Sequence, residues 1–373
     1  MQVVQRWDIH LLRAVAIGAV FAYHTGVPHA GGGSLGVDIF FVLSGYLITT
    51  ALLRGGSRRD FYRRRLARTV PAAVAAAAGI TVAALLVAPG EWDDLRWHLL
   101  SSVTWTENLL VTAVSAGDLE GVMSLSPYTH YWSLAMEEQF YLVWPWLMAG
   151  VAAVGLRRHR RAALTVVLVA VIAGSLWLYW AWAADNHAVA YFSPLSRVWQ
   201  LAVGALVALW WPRLTDRFPR RDWLPGAALV SFMAGVVVLA WCVSFGGFAH
   251  DTDSPWWGVI VVGTTAVLLI TGRWLRPLPH SVRRLLAPMW LIGTLSYGLY
   301  LWHLPILWTL VRAGMPERTL TWWLVVVGMS VATAALSWRF IERPSIAWSR
   351  RTTRPAVDRA RVVQEAEVSA TSS

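Results

Sequence analysis

Lysine is absent from this chain: all 32 basic residues are arginine. Cysteine is nearly absent, with Cys242 alone in an apolar run. A single cysteine excludes an intrachain disulfide and a cysteine-built metal site, and one among apolar neighbours reads as a small hydrophobe. Charge is scarce as well. Only 14% of the 373 residues are charged, against 57% hydrophobic residues and 25 tryptophans. That balance excludes an ordinary soluble domain. The formal net charge of +11 invites a nucleic-acid reading, but the arginines stand in blocks between apolar runs, which is the pattern of membrane topology. No nucleic-acid partner is expected. Arginine without lysine, together with heavy Ala, Val and Trp use, points to a GC-rich coding sequence.

The apolar segments fall at 9–27, 35–53, 69–88, 131–154, 162–184, 194–212, 226–246, 256–272, 289–311 and 320–340. The expected fold is all-α: a polytopic transmembrane helix bundle of about ten spanning helices, each needing about 20 apolar residues, with no soluble domain. Arg13 inside the first segment, and the lack of a small-residue cleavage site after it, mark a retained helix rather than a signal peptide. No internal repeat stands out.

Arginine also orients the bundle. With the N-terminus inside, the loop holding Arg54, Arg58, Arg59, Arg63, Arg64, Arg65 and Arg68 is cytoplasmic. So are the loops with Arg157, Arg158, Arg160 and Arg161, with Arg213, Arg217, Arg220 and Arg221, and with Arg273, Arg276, Arg283 and Arg284. The outer loops keep only Arg96, Arg312 and Arg318, so both termini are expected in the cytoplasm. In the long outer loop, Trp97 to Val114 reads as an interfacial amphipathic helix anchored by Trp97 and Trp105. Residues 1–345 form the expected transmembrane domain, and 346–373 a disordered cytoplasmic tail.

Ionisable side chains within spans are costly and so are functional candidates by default. They are Arg13, His24, Asp38, Glu137, Glu138, Arg197 and His303, with Glu342 at a helix end. Arg13 and His24 are about 16 Å of helix rise and about 20° of rotation apart, hence on one face. They read as an anion anchor and a proton-transfer group, or more blandly as two residues snorkelling to opposite interfaces. Asp38, close to the depth of His24, could orient the imidazole or serve as a helix-opening acid favoured by the macrodipole. Ser44-Gly45 offers a nucleophile or, more simply, a small-residue packing patch.

Arg65 and Arg68 stand i, i+3 and suit phosphates, as they also suit lipid headgroups. Glu137 and Glu138 point about 100° apart, so one of them is expected to face the interior. Tyr141 is within reach of either, and the polar group as a whole suggests a hydroxyl-binding site near the outer face. His303 precedes Pro305 and reads equally as a catalytic group or as a partner for the carbonyl that the proline frees.

Taken together, these segments resemble acyltransferase family 3 of the membrane O-acyltransferases. Arg13 with ten residues before His24 matches an Arg/His signature, Gly36–Tyr46 a glycine–aspartate–aromatic motif, and Arg65-Leu66-Ala67-Arg68 an arginine pair. Trp132–Pro145 resembles an acidic-aromatic motif, Ser296–Pro305 an aromatic-histidine one, and Phe340-Ile341-Glu342-Arg343-Pro344 a closing motif. The resemblance covers about residues 8 to 345.

It implies an enzyme of a bacterial plasma membrane that transfers an acyl group, often acetyl, from cytosolic acyl-CoA to a hydroxyl on a sugar-containing acceptor. It implies no permanently bound cofactor and no metal. His24 is then the catalytic base or acyl carrier, Arg13, Arg65 and Arg68 are acyl-CoA-binding or structural arginines, and Glu342 is an acid without an assigned role. Residue depth adds Asp38, Glu137 and Glu138 around the acceptor. No esterase-like C-terminal domain of the kind some relatives fuse is seen, which tilts the expected acceptor towards a small molecule or glycolipid. The alternative is a proton-coupled transporter using the same intramembrane groups. A lipid-linked glycosyltransferase is a thinner rival, because the acid-rich outer loop lacks a metal spacing.

Overall fold

The computed structural model describes residues 6–55, 57–114, 126–153, 159–183, 185–217, 223–246, 256–272 and 280–352. Every regular element among them is helical. In chain order these are α1 (Trp7–His24), α2 (Gly36–Leu53), α3 (Arg58–Val87), α4 (Trp92–Val103), α5 (Glu107–Val114), α6 (Tyr131–Ala153) and α7 (Arg160–Ala183). They continue as α8 (His187–Phe192), α9 (Pro194–Arg217), α10 (Leu224–Phe245), α11 (Trp256–Thr271), α12 (His280–Arg312), α13 (Leu320–Ser337) and α14 (Arg343–Thr352). A π-helical turn, Trp338–Glu342, joins the last two.

Each of the ten apolar stretches falls on a helix. Seven helical segments, rather than ten, are long and apolar enough to cross a membrane by length and composition: Gly31–Leu53, Arg58–Val87, Arg160–Ala183, His187–Trp211, Gly226–Phe245, His280–Arg312 and Leu320–Thr352. Helix α11 is apolar but has only 16 residues, and α1 and α6 carry charge in their apolar runs. Helix α14 continues to Thr352, so the first part of the expected tail is helical. Residues 353–373, and Arg157, Arg158, Arg220, Arg221, Arg273 and Arg276 of the orienting loops, lie outside the described residues.

Local signals set the helix starts. Ser57 caps α3 by accepting from the Asp60 amide at 3.0 Å, and Thr319 caps α13 by accepting from the Trp322 amide at 3.1 Å, each satisfying an otherwise unpaired first-turn N–H. The closest helix crossing lies between α2 and α9. A Cβ on Gly45 would collide with the Leu201 carbonyl, and one on Gly204 with the Val42 carbonyl. Two glycines let the backbones touch, as small residues do where lipid supplies no hydrophobic drive between helices.

The segment between α3 and α6 departs from expectation. Instead of one interfacial helix, α4 and α5 form a helical hairpin with its tip at Trp105, whose φ of 59° is left-handed. Gln139 Nε2 donates to the Trp105 carbonyl and to Asn108 Oδ1, both at 2.9 Å. Gln139 lies eight residues into α6, about 12 Å along it, so the hairpin dips beside that helix. Irregular backbone is tolerated at such depth only when protein groups satisfy it, and the Gln139 amide does so here. His98 and Ser101 close the hairpin by hydrogen bonds to the buried Glu107 carboxylate. Trp97 stays exposed, but Trp105 is a partly buried tip residue rather than a surface anchor.

Helix α6 itself begins inside the bundle. Tyr131 Oη donates to the Ala73 carbonyl at 2.7 Å, halfway along α3, and Ser126, Tyr128, Thr129 and His130 just before it are buried. This start lowers everything that α6 carries.

Candidate active site

Two polar clusters line the face of α1 defined by Arg13 and His24. In the first, Arg13 Nε donates to the Gly293 carbonyl and to Ser296 Oγ of α12, each at 3.0 Å. Arg65 pairs with both acids of α6, to Glu137 Oε2 and Glu138 Oε1 at 3.5 Å each. Its guanidinium lies 3.7 Å from the Tyr141 ring centroid, within cation–π range. Glu137 also accepts from Ser44 Oγ at 2.8 Å and from Tyr141 Oη at 2.7 Å.

Both carboxylates therefore bear on one arginine, and neither stands at the level of His24 as expected. Arg65 is about 10 Å into α3 from its N-terminal end, and the start of α6 inside the bundle brings the acids to its level. Ser44 is thereby occupied as a hydrogen-bond donor to Glu137, while its neighbour Gly45 is the packing glycine.

Arg68 behaves differently from Arg65. It makes no hydrogen bond or ion pair among the described residues and is exposed, yet it stands within electrostatic reach of Arg65, Tyr141, Glu342 and Tyr297. An exposed cation among such partners lines a cleft. Ala67 and Pro71, on either side of it in sequence, line a groove of ≈ 310 Å³ with Pro344, Ser345 and Trp348 of α14.

Glu342 is brought to the same place by the π turn, a feature that often marks functional sites. Its side chain is buried, with Oε1 accepting from Ser337 Oγ at 3.3 Å. A Cβ on Gly298 would lie 3.1 Å from that oxygen and 3.2 Å from Ala334 Cα, so glycine makes room for both the carboxylate and the backbone of α13.

The second cluster surrounds His24. His24 Nδ1 lies 3.1 Å from His303 Nε2. His303 turns its Nδ1 back onto the carbonyls of Leu299, at 3.1 Å, and Tyr300, at 2.8 Å. These are not the Leu301 carbonyl that Pro305 frees four residues on, so the capping role expected of the ring is not the one it performs. His130 stands with its ring centroid 6.0 Å from that of His303, and Tyr300 Oη bridges Ser133 Oγ at 2.6 Å and the His130 carbonyl at 3.2 Å.

Asp38 belongs to neither cluster. Arg197 Nη2 donates to its Oδ1 at 2.6 Å and Gln200 Nε2 at 3.1 Å, so the carboxylate expected to orient His24 is held by α9 instead. Arg197 in turn stacks 4.8 Å from the Tyr191 ring centroid.

A family model described as the acyltransferase domain of family 3 matches residues 6–342. The chain belongs to acyltransferase family 3. This family 3 chain is 32% identical over 349 residues to the putative peptidoglycan O-acetyltransferase YrhL of Bacillus subtilis, covering 89% of the chain and 54% of that protein. It is 31% identical over 354 residues to the peptidoglycan O-acetyltransferase OatA of Listeria monocytogenes, with the same coverages of 89% and 54%. It is 28% identical over 356 residues to the O-acetyltransferase OatA of Staphylococcus aureus, covering 89% of the chain and 56% of that protein. The chain spans about half the length of the curated relatives it matches. No solved structure matches it.

The structure of this family 3 member gathers Arg13, Arg65, Arg68, Glu137, Glu138, Tyr141 and Glu342 at one level, His24 and His303 at another, and Asp38 with Arg197 apart from both. Sequence reading missed His130 and Tyr300. The run Tyr128-Thr129-His130-Tyr131 carried the signal, but it lies at the edge of an apolar segment, where polar residues are ordinary.

Proposed function

We propose that this chain is a membrane O-acyltransferase that moves an acetyl group from acetyl-CoA to a hydroxyl of a cell-wall-type sugar. The observation that carries the reading is His24 Nε2, a buried ring nitrogen with no hydrogen-bond partner among the described residues. It stands on one helix face with Arg13, about 16 Å away. Arg13 is bonded only through Nε among the described residues, and Arg68 is exposed and unpaired there, so both have N–H groups left for phosphates. Arg65 is committed to Glu137 and Glu138 and acts by shaping the site.

Both termini lie in the cytoplasm, the seven spans and three further apolar helices all cross the plasma membrane, and the arginine level faces the cytosol. The polyanionic donor binds there and threads its acyl thioester along α1 to His24. The acceptor oxygen attacks the thioester carbonyl while its proton passes to His24 Nε2. The carbon–sulfur bond breaks, and the same proton goes on to the thiolate, giving the ester and free CoA. General-base help of this kind is worth about 10²–10⁴-fold. The relatives' names favour a cell-wall glycan over the glycosylated small molecule or glycolipid expected at first.

Purified protein in lipid vesicles should consume acetyl-CoA in the presence of glycan fragments, and His24→Ala should lower the rate by about 10²-fold or more. Full transfer by the alanine variant would overturn the role of His24. Acceptor uptake without acetyl-CoA consumption would identify a carrier instead.

A further inference from the structure

His303 touches His24 but no part of the chemistry proposed above needs it to react. Its value lies in the proton it holds. Backbone carbonyls only accept, so His303 Nδ1, facing the Leu299 and Tyr300 carbonyls at 3.1 and 2.8 Å, carries a hydrogen,. In a neutral imidazole the other nitrogen then bears the lone pair. That nitrogen, Nε2, faces His24 Nδ1 at 3.1 Å. An acceptor there requires a donor opposite, so His24 carries its hydrogen on Nδ1, and its lone pair is left on the unpartnered Nε2.

No carboxylate bonds either ring among the described residues, since Asp38 is held by Arg197 and Gln200. Two carbonyls on α12 thus bear, through His303, on which nitrogen of a histidine on α1 is basic, beside the Val20 carbonyl of α1 that also interacts with the His24 ring. The tautomers follow from the hydrogen-bond network.

We propose that His303 is a positioning residue that sets the tautomer of His24, taking the place that a carboxylate takes beside the histidine of serine-protease triads and itself oriented by the turn before Pro305. It rests on the reading of His24 as the group that accepts the acceptor's proton. When His24 Nε2 takes that proton, the Nδ1–H to His303 Nε2 bond stays in place and becomes charge-assisted, which stabilises the imidazolium. A ring in the wrong tautomer presents an N–H to the acceptor oxygen where a lone pair is needed. In a triad where the partner is changed so that this happens, the cost is about 10⁴-fold in kcat.

Two amide substitutions separate this role from simple packing. His303→Asn keeps a donor for the Leu299 and Tyr300 carbonyls but has no atom that reaches His24. His303→Gln keeps an acceptor near the position of Nε2. In vesicles with saturating acetyl-CoA, His303→Asn should lose about 10²-fold or more in kcat with both KM values within about twofold. His303→Gln should stay within about tenfold of the parent, with the acidic limb of its kcat–pH profile displaced, because that limb reports the proton on His24.

Equal losses in the two variants, or wild-type kcat in His303→Asn, would overturn the proposal. The His24→Ala result is read separately. An inactive His24→Ala beside an active His303→Asn leaves His24 catalytic and removes only His303 from its role, whereas an active His24→Ala removes both.

Discussion

Arg197 and Asp38 form a fully buried ion pair, with Nη2 to Oδ1 at 2.6 Å and both side chains almost without solvent contact. The pair joins α9 to α2 at the same crossing where Gly204 and Gly45 let the backbones touch. Gln200 adds a second donor to the same carboxylate oxygen. Because a buried charge left alone is far costlier than a buried pair, the partners are interdependent.

Asp38→Leu alone should therefore destabilise the protein by about 3–5 kcal/mol, since it strands the guanidinium. The double change Asp38→Leu with Arg197→Met should recover much of that loss. Thermal unfolding in detergent, followed by tryptophan fluorescence, reads both. Additive losses would show that the two residues do not depend on each other.

Arg65 and Arg68 should separate in their effects. Arg65→Ala takes the cation from two partly buried carboxylates, of which Glu137 keeps its Ser44 and Tyr141 donors, and should lower thermal stability together with activity. Arg68→Ala removes an exposed, unpaired cation and should leave the melting temperature near that of the parent. It should raise KM for acetyl-CoA about 10- to 100-fold, corresponding to a charge-assisted bond of about 1.5–3 kcal/mol. Unchanged KM in Arg68→Ala would remove it from the donor site.

Gly298→Ala places a methyl 3.1 Å from Glu342 Oε1, and overpacking of this kind costs about 1–3 kcal/mol. The same methyl would meet Ala334 Cα and Cβ at 3.2 and 3.3 Å; shortening the acid relieves only the carboxylate contact, so Gly298→Ala with Glu342→Asp should recover part of the loss of Gly298→Ala alone. Paired thermal melts give the comparison; a double variant no better than the single would mean that the carboxylate is not what the glycine accommodates.

Gln139→Leu should loosen the α4–α5 hairpin. The change leaves the Trp105 carbonyl and the Asn108 side chain without their amide partner, at about 1–3 kcal/mol for a buried group left unsatisfied. Hydrogen exchange confined to residues 92–114 should rise while the α2–α9 crossing stays protected. Uniform exchange across the chain, or none, would mean that the amide does not hold the hairpin.

The ten helices under the apolar stretches were legible because a bilayer imposes its length and polarity on each one separately. The face shared by Arg13 and His24 was legible for a similar reason: helix geometry within one segment needs no partner. Asp38 shows where that reasoning stops. Its depth near His24 suggested a contact, but depth does not reveal azimuth, and the carboxylate turns to α9. The Glu137–Glu138 pair was misplaced for another reason. Its depth was counted from where α6 starts in sequence, and that helix starts inside the protein beneath a dipping hairpin.

By itself the sequence determined the class of molecule, the apolar helices, the resemblance to family 3 and which ionisable side chains would be costly to hold in lipid. Those follow from local composition and from solvation, which act on each residue regardless of its neighbours. Only the tertiary structure decided the partners: Arg197 for Asp38, Glu137 and Glu138 for Arg65, and His303 for His24, with the Leu299 and Tyr300 carbonyls behind it. A hydrogen bond is directional and a few ångströms long, so which groups meet depends on helix rotation, crossing and starting depth together, and no single segment contains that information.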